Sequence, residues 1–213
     1  VVVCDEINRA SPKVQSALLE SMEEGQVTVD GQTYLLPQPF IVMATQNPLE
    51  MEGTYPLPEA QRDRFLARIA MGYPDPSAEI AMLDNHSGRS PLDDLEPVTD
   101  ATTIARLVHV VQGVYASPAL RHYVVDLVTA SRVDRSLRLG ASPRAAIHLV
   151  RAARAHAALE GRDYALPEDI RRVAHAVLRH RLVLSPDALL ARRTPDEIIT
   201  ELLQTTPIPA ASR

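Results

Sequence analysis

The strongest constraint on the fold of this 213-residue chain is its opening stretch, where four apolar residues run directly into two carboxylates (VVVCDEIN, residues 1–8). Three of the four are β-branched valines, which is typical of a strand buried in a parallel sheet. Asp5 and Glu6 stand where such a strand ends, at the edge where open α/β sheets bind ligands. Asp5 is therefore a candidate Mg²⁺ ligand and Glu6 a candidate for polarising an attacking water. The alternative is a strand that ends in a solvated acidic turn.

A second apolar run, residues 40–45, predicts another buried strand, and it is followed closely by Asn47. If both strands belong to one sheet, Asp5, Glu6 and Asn47 meet at one edge. An amide at that edge can orient a water or contact a phosphate without adding charge. The alternative for Asn47 is a helix or turn cap before Pro48.

Local signals between the two apolar runs predict a helix and a hairpin. Ser11 followed by Pro12 is a helix start, and Gly25 is a plausible helix stop. Two β-rich runs flank Asp30 and Gly31, which predicts a hairpin with a type I′ turn. Together with the two apolar runs, these elements predict an α/β region.

The segment after residue 58 leads from the α/β region into a part of the chain predicted to be helical. A short helix is predicted over residues 59–65 and a further strand over residues 66–71, and from residue 74 onward we expect helices only. Prolines directly after Asp, Ser or Thr mark several of the helix starts. The predicted helices cover residues 76–85, 101–112, 118–131, 143–159, 167–182 and 195–204. A polar connector is predicted over residues 86–98, and the last residues, 205–213, are expected to fray.

Composition excludes several classes of function. The net charge is −5, so there is no basic excess to suggest nucleic-acid binding. A single cysteine, Cys4, excludes an internal disulfide and fits a reducing compartment such as the cytoplasm. No apolar run approaches the length of a membrane span. The seven histidines show no spacing typical of a metal site, and no Ser/His/Asp or Cys/His arrangement has supporting context.

Taken together, these segments resemble the MoxR family of AAA+ ATPases. Six blocks in order, spread over nearly the whole chain, carry the resemblance. They are VVVCDEIN (residues 1–8), SMEEGQVTVDGQTYLL (21–36), ATQNP (44–48), EGTYPLPEAQRDRF (52–65), GYPDP (72–76) and ASPRA (141–145). The segment RHRL (179–182) also looks like the C-terminal region of that family.

The resemblance implies a role for five residues. Asp5 would be the Mg²⁺ partner and Glu6 the water-activating residue of a Walker B strand. Asn47 would be sensor 1, which helps to place that water. Arg64 would be the arginine finger that serves the nucleotide of a neighbouring subunit, and Arg144 would be sensor 2. The hairpin would face the central pore of a ring.

Simpler interpretations exist for the arginines. Arg62 lies close to Arg64 and could pair locally with Glu59, so Arg64 is preferred for its Asp-Arg-Phe context. Arg144 could be an ordinary solvated residue in the first turn of a helix. A cation opposes the helix dipole there, which favours a functional reason for its presence.

For the fold, the resemblance implies the C-terminal part of a AAA+ P-loop core over residues 1–73 and a helical lid domain over residues 74–213. It implies ATP and Mg²⁺ as ligands, ATP hydrolysis, and a ring, expected to be a hexamer. It also implies chaperone-like remodelling or maturation of protein clients, often with von Willebrand factor A-domain partners. Nucleic-acid binding and membrane insertion are not expected.

One part of an ATP site is absent from these 213 residues. A P-loop has the form G-x-x-x-x-G-K-[ST], and the single lysine, Lys13, has no such context. We therefore expect a fragment that starts at Walker B and does not hydrolyse ATP alone. Two alternatives stay open: a non-catalytic interaction module derived from a AAA+ protein, and a magnesium-chelatase-type AAA+ subunit, which shares the Asp-Arg-Phe block.

Overall fold

The computed structural model describes residues 1–47, 54–85 and 94–208. The first part contains β1 (Val2–Cys4), a 3₁₀ turn (Ile7–Arg9), α1 (Pro12–Glu24), β2 (Gln26–Val29), β3 (Gln32–Leu35) and β4 (Val42–Ala44). β1 and β4 pair in parallel, in the register that sets Val2 beside Val42. The predicted pairing of the two apolar runs is confirmed, and the carboxyl ends of both strands lie at one edge.

The helix and the hairpin between these strands form where predicted, although the Ser11 side chain makes no capping hydrogen bond to α1. Pro12 occupies the first turn of α1, where its missing amide costs nothing, and Gly25 ends the helix at a φ of 63°. β2 and β3 pair antiparallel. Asp30 and Gly31 both have positive φ, 50° and 78°, as a type I′ turn requires.

The prediction that β1 and β4 are buried is wrong for the part of the chain that the structure describes. Val3 is 63% exposed and Met43 is 59% exposed. Each strand has the other as its single sheet neighbour among the described residues, and the face that carries the paired Val3 and Met43 is largely open. An apolar run predicts a strand that can be buried, but burial depends on the elements around it.

The segment after residue 54 departs from prediction in two places. α2 (Glu59–Arg62) is shorter than the predicted helix and gives way to turns. Residues 66–71 form no strand, and Met71 is 92% exposed. The amide of Arg68 donates instead to the carbonyl of Ala176 at 2.8 Å, so this segment lies along a later helix rather than in a sheet. α3 (Pro76–Asn85) forms as predicted.

The helical region, defined here as residues 94–208, holds six further helices and one strand pair. The helices are α4 (Ala101–Gly113), α5 (Pro118–Val133), α6 (Pro143–Leu159), α7 (Pro167–Leu178), α8 (Pro186–Leu190) and α9 (Pro195–Thr205). β5 (Leu137–Leu139) pairs antiparallel with β6 (Val183–Leu184). Of the predicted connector and tail, residues 86–93 and 209–213 lie outside the described residues.

Three features of the helical region differ from the prediction, and the strand pair contradicts the expectation of helices only. The strand pair was not predicted, and neither was the short helix α8. α7 ends at Leu178 rather than at residue 182, because the chain turns there to enter β6. The predicted starts are confirmed where a hydroxyl precedes proline: the Ser117, Ser142 and Thr194 side chains each accept an amide hydrogen bond.

The main hydrophobic core lies entirely within the helical region. α6 is its centre and packs against α4, α5 and α7, while α9 packs against α5 and α7. Four residues on one face of α6 are fully buried: Ala145, Leu149, Ala153 and Ala157. Their mostly small side chains let the neighbouring helices approach closely. Within the described ranges, no helix is both long enough and apolar enough to cross a membrane.

Candidate functional site

The carboxyl ends of β1 and β4 are joined by Thr45. Its hydroxyl accepts the Glu6 amide at 2.9 Å and lies 3.3 Å from Oδ1 of Asp5, to which it donates. The backbone of Thr45 also bonds to the first strand's end, accepting from the Ile7 amide at 3.0 Å. Asp5 is exposed at this edge. The sheet edge therefore presents one carboxylate to solvent while a neighbouring hydroxyl fixes its position.

Glu6 has an unusual backbone. Its φ of 48° and ψ of 52° place a non-glycine residue in the left-handed region, which is uncommon and often marks a functional site. The turn lets the chain leave β1 and enter the 3₁₀ turn at once. The Glu6 carboxylate pairs with Nε of Arg9 at 2.9 Å and stays partly exposed. It is thus held close to Asp5 without being buried.

Asn47 lies at the same edge, two residues after Thr45. It is half-buried, and its carbonyl is 3.5 Å from Nδ2 of Asn8, which follows β1. The structure thus brings Asp5, Glu6 and Asn47 to one end of the strand pair, as the two apolar runs predict. Pro48, on which the capping interpretation of Asn47 depends, lies outside the described residues.

Gln15 fixes this edge from α1, and sequence reasoning missed it. Its side chain is buried, and Nε2 donates to three carbonyls: Ile7 at 3.1 Å, Ala10 at 3.2 Å and Tyr55 at 3.0 Å. One amide therefore holds the chain on both sides of the site. The sequence signal that could have identified Gln15 is its position in the helix. It lies one turn before the buried Leu19, so a polar residue occupies the apolar face of α1.

Arg64 and Arg144 meet at a second place, on the carboxylate of Glu23. Nε of Arg64 is 3.1 Å from Oε2 of Glu23, and a guanidinium nitrogen of Arg144 contacts Oε1. Arg144 also lies 3.6 Å from Oδ2 of Asp63. These two carboxylates offset the unfavourable position of Arg144 in the first turn of α6. Glu59 pairs with Arg138, so the local pair with Arg62 that sequence reasoning considered does not form.

The Asp-Arg-Phe segment that carries Arg64 is fastened to the helical region by Arg181. The Arg181 side chain is 1% exposed, and its Nε lies 2.9 Å from Oδ1 of Asp63. Its other nitrogens donate to the carbonyls of Asp63, Phe65 and Leu66. The Ser142 hydroxyl, which caps α6, also donates to Asp63 at 2.8 Å. We call these contacts the Arg181 clasp.

Two histidines border the Arg181 clasp, and burial together with the charge of Arg181 favours their neutral forms. Burial and the nearby Arg181 charge lower the pKa of His148 to about 4, and the same two causes lower the pKa of His180 to about 4. Nδ1 of His148 contacts Arg181, and Nε2 of His180 lies 3.1 Å from the Phe65 carbonyl. Sequence reasoning noted the segment at residues 179–182 but assigned these side chains no role.

The two clusters lie towards opposite ends of α1. Gln15 contacts the acidic edge, and Glu23 contacts the arginines; eight residues of helix separate them by about 12 Å. The acidic edge suits a hard cation, and the arginine end suits an anion. The described residues contain no group of three or more His, Cys, Asp or Glu side chains that could hold a metal. Asp5 fits Mg²⁺, which commonly takes one or two carboxylates and completes its shell with water and phosphate oxygens.

Comparisons of the sequence with family models and with curated proteins point to the same protein family. Residues 1–67 match the family model for the ATPase family associated with various cellular activities (AAA), and residues 129–202 match the AAA lid domain. The uncharacterized protein YeaC of Bacillus subtilis is 47% identical over 98% of this chain and 65% of its own length. Chaperone MoxR1 of Mycobacterium tuberculosis is 44% identical over 98% and 57%, and protein MoxR of Paracoccus denitrificans is 38% identical over 97% and 67%.

A solved structure agrees with the sequence matches. The crystal structure of a protein from Cytophaga hutchinsonii superposes with a TM-score of 0.91 at 40% identity, over 98% of this chain and 66% of that one. The chain therefore spans less than two thirds of the length of the first two relatives that it matches.

Proposed function

Since this chain belongs to the MoxR family of AAA+ ATPases, we propose that the whole protein binds ATP with Mg²⁺ and hydrolyses it. The observation that carries the proposal is the meeting of Asp5, Glu6 and Asn47 at the carboxyl edge of a parallel strand pair. We divide the chain into a part of the ATPase core at residues 1–73 and a lid at residues 74–213.

Each residue at the acidic edge has a distinct task in this proposal. ATP with Mg²⁺, when bound, supplies an electrophilic phosphoryl group. Asp5, exposed and oriented by the Thr45 hydroxyl, is the protein's ligand to the cation. Glu6 accepts a proton from the attacking water, after its carboxylate exchanges Arg9 for that water. Asn47 orients the same water through its amide without adding charge.

The arginine end of α1 has a separate task. Arg64 is proposed as an arginine finger and Arg144 as a second phosphate contact. Because both side chains pair with Glu23, about 12 Å along α1 from Gln15, Arg64 is better placed for a nucleotide on a neighbouring copy than for the edge of its own chain. A finger of this kind is worth about 10³–10⁵ in turnover because it meets charge that develops in the transition state.

These assignments require a ring, for which we propose a hexamer with the β2–β3 hairpin facing its pore. The name of the relative MoxR1 supports a chaperone-like action on protein clients, and a partner with a von Willebrand factor A domain is part of the proposal. We place the ring in the cytoplasm because the single cysteine fits a reducing compartment. The net charge of −5 gives no reason to propose nucleic-acid binding.

The test is Glu6→Gln in the whole protein. The amide keeps the size of the side chain but cannot take a proton, so turnover should fall by about 10²–10⁴-fold while ATP binding is retained. Glu24→Gln is the matched control, because Glu24 carries the same charge and contacts Gln26 rather than the site. Turnover that survives Glu6→Gln would remove Glu6 from its role.

The same experiment separates the competing function, a non-catalytic interaction module. A whole protein without a G-x-x-x-x-G-K-[ST] motif would favour that module. A whole protein that neither binds ATP nor turns it over, with every substitution silent, would support the module.

A further inference from the structure

Glu23 is shared by the two arginines in a way that the proposed roles leave unexplained. One of its oxygens contacts Arg64 and the other contacts Arg144, so one carboxylate holds two guanidinium groups side by side. The three side chains are 35%, 36% and 40% exposed for Arg64, Arg144 and Glu23 respectively. The cluster is therefore open to solvent and to a ligand.

The charges on this cluster stand at helix ends that disfavour them. Glu23 is the penultimate residue of α1, where the helix dipole opposes an anion, and Arg144 is the second residue of α6, where it opposes a cation. Each charge lowers the cost of the other. Ion pairs as exposed as these contribute little to stability, so a stronger anion can replace the carboxylate.

We propose that Arg64 and Arg144 form one anion site and that Glu23 occupies it as a built-in competitor, which polyphosphate displaces. A carboxylate offers one negative charge and one oxygen pair to two guanidinium groups, whereas a phosphate chain offers several charges and enough oxygens for each arginine to bind its own pair. This inference rests on the proposed function, because the phosphate chain it names is the one held by a neighbouring copy.

The proposal predicts that loss of Glu23 changes phosphate affinity in the opposite direction from loss of a purely structural ion-pair partner. If Glu23 only fixed the arginines in place, its loss would weaken phosphate binding. If Glu23 competes for them, its loss frees two aligned cations and strengthens phosphate binding. The sign of one change in affinity therefore decides between the two roles.

The experiment titrates the 213-residue chain with tripolyphosphate by calorimetry. Glu23→Gln should bind tripolyphosphate about tenfold more tightly than the unaltered chain, because two weak pairs no longer have to be broken. Glu24→Gln removes the same charge from the neighbouring position. It should change the affinity less than about twofold, because salt screens the interaction between Glu24 and a phosphate bound to the arginines. Adding Arg64→Ala to Glu23→Gln should abolish the gain.

A second variant keeps the test decisive if Glu23→Gln folds poorly. Glu23→Asp retains the charge on a shorter side chain that reaches the arginines less well, so its affinity should fall between those of the other two proteins. An affinity that is unchanged or weaker in Glu23→Gln, or a gain that survives Arg64→Ala, would overturn the proposal. The titration needs neither hydrolysis nor a ring, so a failed Glu6→Gln test and a failed Glu23→Gln test are distinguishable.

Discussion

The two halves of this molecule are held together by different forces. In the part of the chain that the structure describes, all 22 residues of the main hydrophobic core belong to the helical region. Among the described residues before 86, the buried apolar side chains are Ile7, Leu19 and Leu57. The helical region therefore has a core of its own, whereas the region that carries the acidic edge does not bury enough apolar surface to rely on packing alone.

Polar contacts take the place of a core in the first region. Gln15 ties three carbonyls, Thr45 joins the two strand ends, and Arg181 fastens the segment after α2 to the helical region. Hydrogen bonds are directional, so such contacts fix side chains in a defined geometry. The comparison teaches that a few polar groups order the acidic edge from within the first region, whereas Arg181 anchors the segment that carries Arg64 to the packed region.

The largest test of this comparison is Arg181→Met. The substitution leaves the mostly buried Asp63 carboxylate with the Ser142 hydroxyl but without its guanidinium partner, and several carbonyls also lose the Arg181 donors. We therefore expect the free energy of unfolding to fall by about 4 kcal/mol. Urea unfolding gives the value. Arg179→Met is the matched control, since Arg179 pairs with the 40% exposed Asp196 and should cost less than about 1 kcal/mol. Equal losses in both variants would mean that the Arg181 clasp does not anchor the first region.

A second test follows how stability depends on pH, through the two histidines beside the Arg181 clasp. The folded state holds His148 and His180 at a pKa of about 4, below the usual value near 6.5, so between those pH values the unfolded chain binds more protons. Their contribution is complete above about pH 6.5 and is lost as the pH falls towards 4. We expect a loss on the order of 3 kcal/mol between pH 7 and pH 5.

The measurement is the free energy of unfolding across that range, with His148→Gln as the variant that should remove about half of the slope. Asp169 does not contribute in this window. Burial alone would raise its pKa, but hydrogen bonds from Arg162, the Leu166 amide and His156 lower it to about 2. A stability that stays flat from pH 7 to pH 5 would contradict the pKa direction of both histidines.

Local chemistry could be predicted from the sequence, and contacts between distant residues could not. The turn at Asp30 and Gly31 and the helix starts at Ser117 and Ser142 depend on neighbouring residues, so their signals lie within a few positions. The end of β1 just before Asp5 was predictable for the same reason.

What the sequence did not reveal depends on residues far apart in the chain. Asp63 and Arg181 are 118 positions apart, and Glu23 and Arg144 are 121 apart, so no local pattern marks either pair. The strand pair β5–β6 and the helix α8 are short elements that form on a packed surface. Whether an apolar run such as β1 is buried is likewise decided by what lies against it.

The smallest expected change in stability allows the most direct comparison of the two regions, because the same substitution, Val→Ala, can be made in each. Val124 in α5 is 1% exposed and Val3 in β1 is 63% exposed. Val124→Ala should lower the free energy of unfolding by about 2 kcal/mol, through lost burial and the small cavity that remains. Val3→Ala removes the same two methyl groups from a solvated face and should cost less than about 0.5 kcal/mol. If Val3→Ala costs as much as Val124→Ala, then β1 is packed in solution, and the first region is held by apolar contacts as well as by its polar ones.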